Sequence, residues 1–341
     1  MQGATREQTA GRNHSIIDGM NAAPKTRLLL AVLGAVACGA GVAMQSRING
    51  QLGAELQDGY IAAVISFGSG LVILTTVMLF VRSGRDGVRK VRTAIKAGEI
   101  PWWYAVGGAA GGFFVLTQGL ASAALGVALF SIGVVCGQTV SGVIIDRIGL
   151  GTHEPRAINA QRIVGALLAL VAVAVAASSE LGGGAAPLLL LLPFIAGLAI
   201  AWQQAVNGQI RIVANSALTA TFGNFAVGTS VLVVAAGIHT LISGWPTKFP
   251  TDPTLYIGGS IGVVFIGLGT IVVGTTGVLL LTLGTISGQL LMSLLLDVVA
   301  PVAGHGIQWT TLLGTALALV AVVIVATART RPTARSRTSS R

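Results

Sequence analysis

The chain has 341 residues, of which 53% are hydrophobic and only 9% charged. A water-soluble domain coats itself with about 25% charged residues, so this composition excludes an ordinary soluble protein and implies a surface that faces lipid. The formal net charge of +10 raises nucleic acid as a partner, but the placement of the charges argues against one.

Apolar runs of about 20 residues match what a helix needs to cross a hydrocarbon core about 30 Å thick. In chain order they are Leu28–Gln45, Ile61–Val81, Trp102–Ala121, Gly126–Ile145, Ile163–Ser178, Pro187–Val206, Leu218–Ile242, Tyr256–Val273, Val278–Leu296 and Trp309–Ala328. Backbone polar groups find no water in lipid, so each run is expected to be helical. The runs lack the two-residue alternation of a membrane barrel. The fold expected is therefore an all-α integral membrane protein with ten transmembrane helices. Lys25-Thr26-Arg27 and the apolar run ending at Ala37-Cys38 loosely mimic a signal peptide. That helix has a counterpart in mid-chain, which argues against its removal.

Counted over alternate loops, 19 basic residues fall on one side and two, Arg47 and Lys248, on the other. The basic groups are the amino-terminal tail, the 82–96 loop, the 147–162 loop, Arg211 and the carboxy-terminal tail. This is the positive-inside pattern, and it puts both termini in the cytoplasm. The basic loops are read as topology determinants drawn to anionic lipid headgroups. The bilayer is the expected partner, with no nucleic acid; a homodimer stands open. Cys38 and Cys136 lie inside apolar runs with no CxxC pair or Cys/His cluster, so two buried thiols, no disulfide, no metal and no cofactor are expected.

The chain contains itself twice. At a constant offset of 158, Gln45, Asn49, Gly50, Gln51, Ala62, Phe67 and Gly70 match Gln203, Asn207, Gly208, Gln209, Ala220, Phe225 and Gly228. At an offset of 151, Gly126, Gly133, Gly137, Gln138 and Asp146 match Gly277, Gly284, Gly288, Gln289 and Asp297. The expected organisation is a basic tail (1–26), a five-helix repeat (27–178), a linker (179–186), a second five-helix repeat (187–328) and a basic tail (329–341). A repeat with an odd number of spans re-enters the membrane from the opposite face, so the halves are expected to be inverted. The loop after the fourth run is basic, whereas 301–308 has no Lys or Arg, which agrees. Inverted repeats are a common architecture of secondary transporters, with the solute between them near the midplane.

No Asp or Glu sits at the centre of a run, so a buried carboxylate relay has no support. The polar groups that do enter are mostly amides, and these are the candidates for a substrate pathway: Gln45, Asn49, Gln51 and Ser66; Gln118 and Gln138; Gln203, Asn207, Gln209 and Asn224; and Gln289. An amide both donates and accepts, which suits a neutral or zwitterionic polar solute. The competing reading is hydrogen-bonded glue between helices, worth about 0.6–2 kcal/mol. The two Asn-Gly-Gln sequences are expected to end helices, with Gly50 and Gly208 as left-handed caps; a broken helix is the alternative. Asp146 and Asp297 are expected at helix ends, as structural caps or a gating ion pair; Arg47, at the outer side, is read as a snorkelling interfacial residue or as an attraction for an anionic solute at the mouth. Gly133 with Gly137, and Gly284 with Gly288, are close-packing faces. Trp202, beside Gln203, is a weak candidate for stacking on a ligand, and His239 and His305 are read as structural.

The Gln-x-x-x-Asn-Gly-Gln-[LI] blocks, the Phe-x-x-Gly that follows, and the Gly-Gln-x7-Asp segments ending the fourth and ninth runs resemble the YdcZ-like inner membrane exporter family of the drug/metabolite transporter superfamily. The resemblance spans nearly all of 27–328 as a fused, double-length form. It implies a ten-helix transporter of a bacterial cytoplasmic membrane and names no substrate. One departure is Asp297-Val-Val-Ala where the first half has Asp146-x-x-Gly149. Without a P-loop, an HExxH motif or paired intramembrane carboxylates, the expectation is an exporter of a small polar metabolite or drug by alternating access; a pore-like or non-transporting scaffold is the alternative, and a membrane enzyme is less favoured.

Overall fold

The computed structural model describes residues 23–150, 159–178, 186–301 and 308–327, and the regular structure among them is entirely helical. The first half contains α1 (Ala23–Leu56), α2 (Gly59–Phe80) and α3 (Arg82–Lys96). A 3-10 turn at Trp102–Gly107 leads into α4 (Gly108–Thr117), which runs on through a π-helical turn at Gln118–Ser122 to Leu125. Then come α5 (Val127–Ile148) and α6 (Ala160–Ala177). The second half contains α7 (Ala186–Ala214), α8 (Ala217–Ser243), α9 (Gly258–Val299) and α10 (Trp309–Thr327). Eight helical segments among the described residues are long and apolar enough to cross a membrane, and Gly258–Gly269 and Trp309–Val325 are shorter apolar helices. Leu241 and Ile242 are 88% and 81% exposed, an apolar surface suited to lipid.

Local chemistry sets the helix ends, and here one expectation is corrected. Gly50 and Gly208 do not cap: α1 and α7 run on through both Asn-Gly-Gln sequences to Leu56 and Ala214. The left-handed residues are Gln57 (φ 54°) and Asn215 (φ 50°), again 158 apart. Each is followed by an N-cap for the next helix. Asp58 accepts from the Tyr60 and Ile61 N–H groups at 2.9 and 3.0 Å, and Ser216 from the Thr219 N–H at 3.2 Å. A side-chain oxygen at this position satisfies amides that helix geometry leaves unpaired. The turn is therefore duplicated in chemistry although its residues differ.

A second correction concerns 82–96. Expected as a basic loop, the segment instead forms α3, whose Val91, Ala94 and Ile95 pack against Ile210, Val213 and Ala220 of α7 and α8. The apolar residues recur at helical spacing on one face.

The third difference is α9. A straight helix of 42 residues would measure about 63 Å, twice the hydrocarbon thickness. Its contacts show that it is not straight. Cys38 of α1 donates to the Phe265 carbonyl and Thr285 donates to the Ala35 carbonyl, both at 3.4 Å. Cys38 and Ala35 are one turn apart, while Phe265 and Thr285 would be about 30 Å apart on a straight axis. Val272 and Leu281 also share one cluster with Ala31 and Ala35. The chain therefore reverses between Val272 and Leu281, and both arms of α9 lie along α1. The matching reversal in the first half is at Gly126, whose φ of +76° is open chiefly to glycine.

The two repeats meet through reciprocal contacts. A Cβ on Gly39 would overlap the Thr285 carbonyl and the Gln289 amide of α9, and one on Gly197 would overlap the Val134 carbonyl and the Gln138 amide of α5. Gly137 approaches Phe194 and Gly197 on α7, as Gly288 approaches Val36 on α1; Gly133 and Gly284 extend the same two contacts at Pro193 and Ala35. The first helix of each repeat is thus held by the third and fourth segments of the other. Repeat mates also face one another directly. Gly70 meets Phe225 while Gly228 meets Phe67, and Gly165 meets Ala321 and Val325 while Gly314 meets Ala172 and Ala176. Early residues of one helix meet late residues of its mate, so α2 with α8, and α6 with α10, pack antiparallel. A surface that contacts its own copy in this way defines a two-fold relation.

Candidate functional site

The helices bring the polar candidates into two groups. In the first, Asn49 of α1 donates to Gln118 Oε1 at 2.7 Å, and Gln118 Nε2 donates to Ser46 Oγ at 2.9 Å. One turn away, Gln45 donates to the Gly258 carbonyl of α9 at 3.0 Å. Gln118 opens the π-helical turn, which reorients side chains within an otherwise continuous helix. Gln45, Asn49, Ser66 and Gln118 are all buried, and among the described residues Asn49 Oδ1 and Ser66 Oγ have no hydrogen-bond partner.

In the second group, Asn224 Oδ1 of α8 accepts from both Gln203 Nε2 and Asn207 Nδ2 of α7, the latter at 3.1 Å. Gln203 Oε1 has no partner among the described residues. The wiring differs between the halves because the residues differ. Gln118 has Gly269 as its counterpart, while Asn224 has Ser66, so the first half bridges α1 to the π turn and the second bridges α7 to α8.

Phe67 and Phe225 stack between the groups with ring centroids 4.6 Å apart and planes 21° apart. Phe225 lies beside Gly262, next to Gln45; Phe67 lies beside Gly111, next to Gln203 and Asn224.

The second group borders a cavity of about 390 Å³, and Asn207 and Asn224 form part of its lining. Its walls are otherwise mostly apolar, with Val88, Val91 and Ile95 from α3, Ile210 from α7 and Phe222 from α8. The size is within the roughly 300–1,000 Å³ typical of small-molecule sites. The matching place in the first half is filled. Leu52, Ile61, Ala62 and Leu255, the counterparts of Ile210, Thr219, Ala220 and Tyr104, close into a cluster with Val64, Ile65 and Tyr256. The cavity exists where Gly223 replaces Ile65 and Ala105 replaces Tyr256. One repeat is open where its mate is packed shut.

Other candidates stand apart. Gln51 is exposed and bonds Glu55 within its own helix at 2.9 Å, and Gln209 is half-buried away from both groups. Gln138 and Gln289 lie instead where α5 grips α7 and α9 grips α1. Gln289 is buried, with Nε2 unpaired among the described residues. Arg47 is half-buried on α1. Asp297 accepts from the Val127 and Ala128 N–H groups at 3.1 and 2.7 Å, so it caps α5 of the other repeat across the Gly126 break; the Asp146 side chain and His305 lie outside the description. Trp202 stacks on Trp103 at 6.3 Å. His239 stacks on Tyr60 at 4.4 Å, with Nε2 3.7 Å from Asp58. Cys38 and Cys136 are free and buried, and no metal-binding group of His, Cys, Asp or Glu occurs among the described residues.

The sequence reading missed Ser46, Phe222, Gly223 and the α3 residues that line the cavity. The apolar spacing of Val88, Val91 and Ile95 within the basic 82–96 run was the available signal.

Apolar helices in two copies, tied by buried amides, define a multi-pass membrane protein. The model of the family described as "Putative inner membrane exporter, YdcZ" matches residues 30–175 and again 188–324, and the chain belongs to that family as a double-length form in the inner membrane. No curated protein matches. A solved structure titled "Crystal structure of protein" is similar over 88% of this chain and 96% of its own, with 20% identity and a TM-score of 0.50, a likeness in fold alone.

Proposed function

We propose that the protein is a secondary transporter that exports a small metabolite or drug by alternating access, with ten spans arranged as two inverted repeats, 27–178 and 187–328, and both termini in the cytoplasm. The observation that carries this reading is the reciprocal packing of repeat mates, Gly70 on Phe225 with Gly228 on Phe67 and Gly165 on Val325 with Gly314 on Ala176, beside a cavity at Asn207 and Asn224. In a carrier built from inverted repeats, exchanging the conformations of the halves closes one side and opens the other. The antiparallel packing of repeat mates supports inversion, since a two-fold axis in the membrane plane reverses each helix against its copy. The reversal of α9 supports two spans within it, and so ten in total. Helix α3 carries six of the basic residues, and the positive-inside rule supports a cytoplasmic position for the open side. Solute moving between the amide groups passes the Phe67–Phe225 pair. A solute drives the exchange only if it binds the two states differently or is coupled to an ion gradient.

Flux into proteoliposomes tests this. A carrier gives saturable uptake that is accelerated by solute preloaded on the far side and lost in Asn207→Leu. Flux that rises linearly with concentration identifies a pore, and chemical conversion of the solute an enzyme; either outcome removes the carrier reading.

A further inference from the structure

The walls of the cavity restrict what it can hold. Arg92 and Lys96, both exposed to solvent, line it from α3, four residues apart and so on one helix face. Neither pairs with a carboxylate among the described residues, whereas Arg89 on the same helix is engaged by Asp86 at 3.2 Å. The lining includes no Asp or Glu. Val88, Val91, Ile95, Ile210 and Phe222 supply the apolar part, and Asn207, Asn224 and Thr219 the neutral polar part. A cation would meet two like charges and no counter-charge. A small inorganic anion would meet the two cations but leave the apolar walls without contact. A sugar would leave most of its hydroxyls without partners.

We propose that this cavity binds an amphipathic anion, with a carboxylate or phosphate held by Arg92 and Lys96 and an apolar body lying against α3, α7 and α8. The inference rests on the transporter reading for its biological meaning, and it revises the neutral or zwitterionic solute expected from the amides. The site is confined to one half because α3 has no helical counterpart among the described residues of the second, where 244–252 precedes only a 3-10 turn. Gly223 is what keeps it open. A Cβ at Gly223 would meet nothing within 4 Å, so a larger side chain enters empty space rather than a neighbour.

Binding of tritiated 2-naphthoate to the purified full chain in an uncharged maltoside tests the proposal, with the isosteric 2-naphthamide and the cationic 2-naphthylmethylammonium, which keeps the same ring system, as competitors. Saturable naphthoate binding is expected, with the amide at least about tenfold weaker and the ammonium weaker still, as losing about 1.4 kcal/mol implies. Arg92→Gln with Lys96→Gln reduces naphthoate affinity to that of the amide and leaves the amide unchanged. Gly223→Ile, which copies Ile65, abolishes binding of all three, while Gly223→Ala retains it and controls for folding. In nanodiscs, displacement of naphthoate by phosphatidylglycerol but not phosphatidylcholine assigns the resident anion to the lipid; no displacement assigns it to a soluble metabolite. Binding with this anion preference but without flux leaves the site standing and removes the carrier reading. Equal affinity for the three probes, or naphthoate binding undiminished in Gly223→Ile, overturns the proposal.

Discussion

Phe67 and Phe225, which are 158 residues apart and occupy the same position in their repeats, stack face to face with centroids 4.6 Å apart. Each ring also covers the glycine that follows the other, Gly228 and Gly70. Replacing either buried ring by Ala removes the same set of contacts, so both variants lose about 3–5 kcal/mol. The two costs agree within about 1 kcal/mol, and the double variant shows coupling of about 0.5–1.5 kcal/mol. Equilibrium unfolding of the purified singles and double measures all three quantities. Strongly unequal singles would deny the symmetry of the contact.

Helix approach at Gly137 and Gly288 gives a comparison within one helix. A Cβ at either position would overlap a backbone carbonyl, of Phe194 or Val36, whereas one at Gly142 of the same α5 meets nothing within 4 Å. Gly137→Ala and Gly288→Ala each cost about 1–3 kcal/mol through forced separation of the helices. Gly142→Ala is neutral or gains up to about 1 kcal/mol from helix propensity. Thermal denaturation of the three variants side by side checks the order.

Asp297 joins the end of α9 in one repeat to the start of α5 in the other. Asp297→Ala leaves the Val127 and Ala128 N–H groups unpaired beside the Gly126 break and costs about 0.5–2 kcal/mol. Asp297→Asn keeps one acceptor oxygen and recovers about half of that loss. A lowered melting temperature for Ala with an intermediate value for Asn is the expected result.

Asn49 and Gln118 form a buried amide pair, and removing one member strands the other. Asn49→Ala or Gln118→Ala alone costs about 1–3 kcal/mol. The double variant costs less than the sum by about 0.6–2 kcal/mol, the range for hydrogen bonds between membrane helices. A double-mutant cycle on unfolding free energy reads the difference. Additive costs would show that the bond contributes nothing.

Features with a strong periodic or repeated signal were legible without coordinates. Hydrophobic run length located the helices, and the recurrence of Gln45, Asn49 and Phe67 as Gln203, Asn207 and Phe225 revealed the duplication. The same blocks misled at Gly50 and Gly208, because a glycine after Asn looks like a cap, while the helix continues one more turn or two to a left-handed Gln57 or Asn215. Gln57 does not announce that conformation, while Asn215, of a type that tolerates it, lies outside the repeated Asn-Gly-Gln block. The wiring of the amides was not legible. Gln118 joins Asn49 only because a π turn rotates it there, and Gln138 and Gln289 sit at packing contacts although their motifs repeat as faithfully as the others. The cavity depended on differences between the halves, Gly223 for Ile65 and Ala105 for Tyr256, which a search for sameness passes over. In 82–96 the density of basic residues hid an apolar helical spacing in plain sight.

Inversion of the two halves is the claim on which the transport reading rests, and cysteine labelling in intact cells tests it most directly. The segments that follow α2 and α8 occupy equivalent places in the repeats; Arg89 is exposed on α3 in the first, and Trp245 just after α8 in the second. With Cys38 and Cys136 replaced by Ala, a membrane-impermeant maleimide labels Trp245→Cys from outside and reaches Arg89→Cys only after the membrane is opened. Labelling of both positions from the same side would mean that the halves run in the same direction, and the alternating-access account would fall with them.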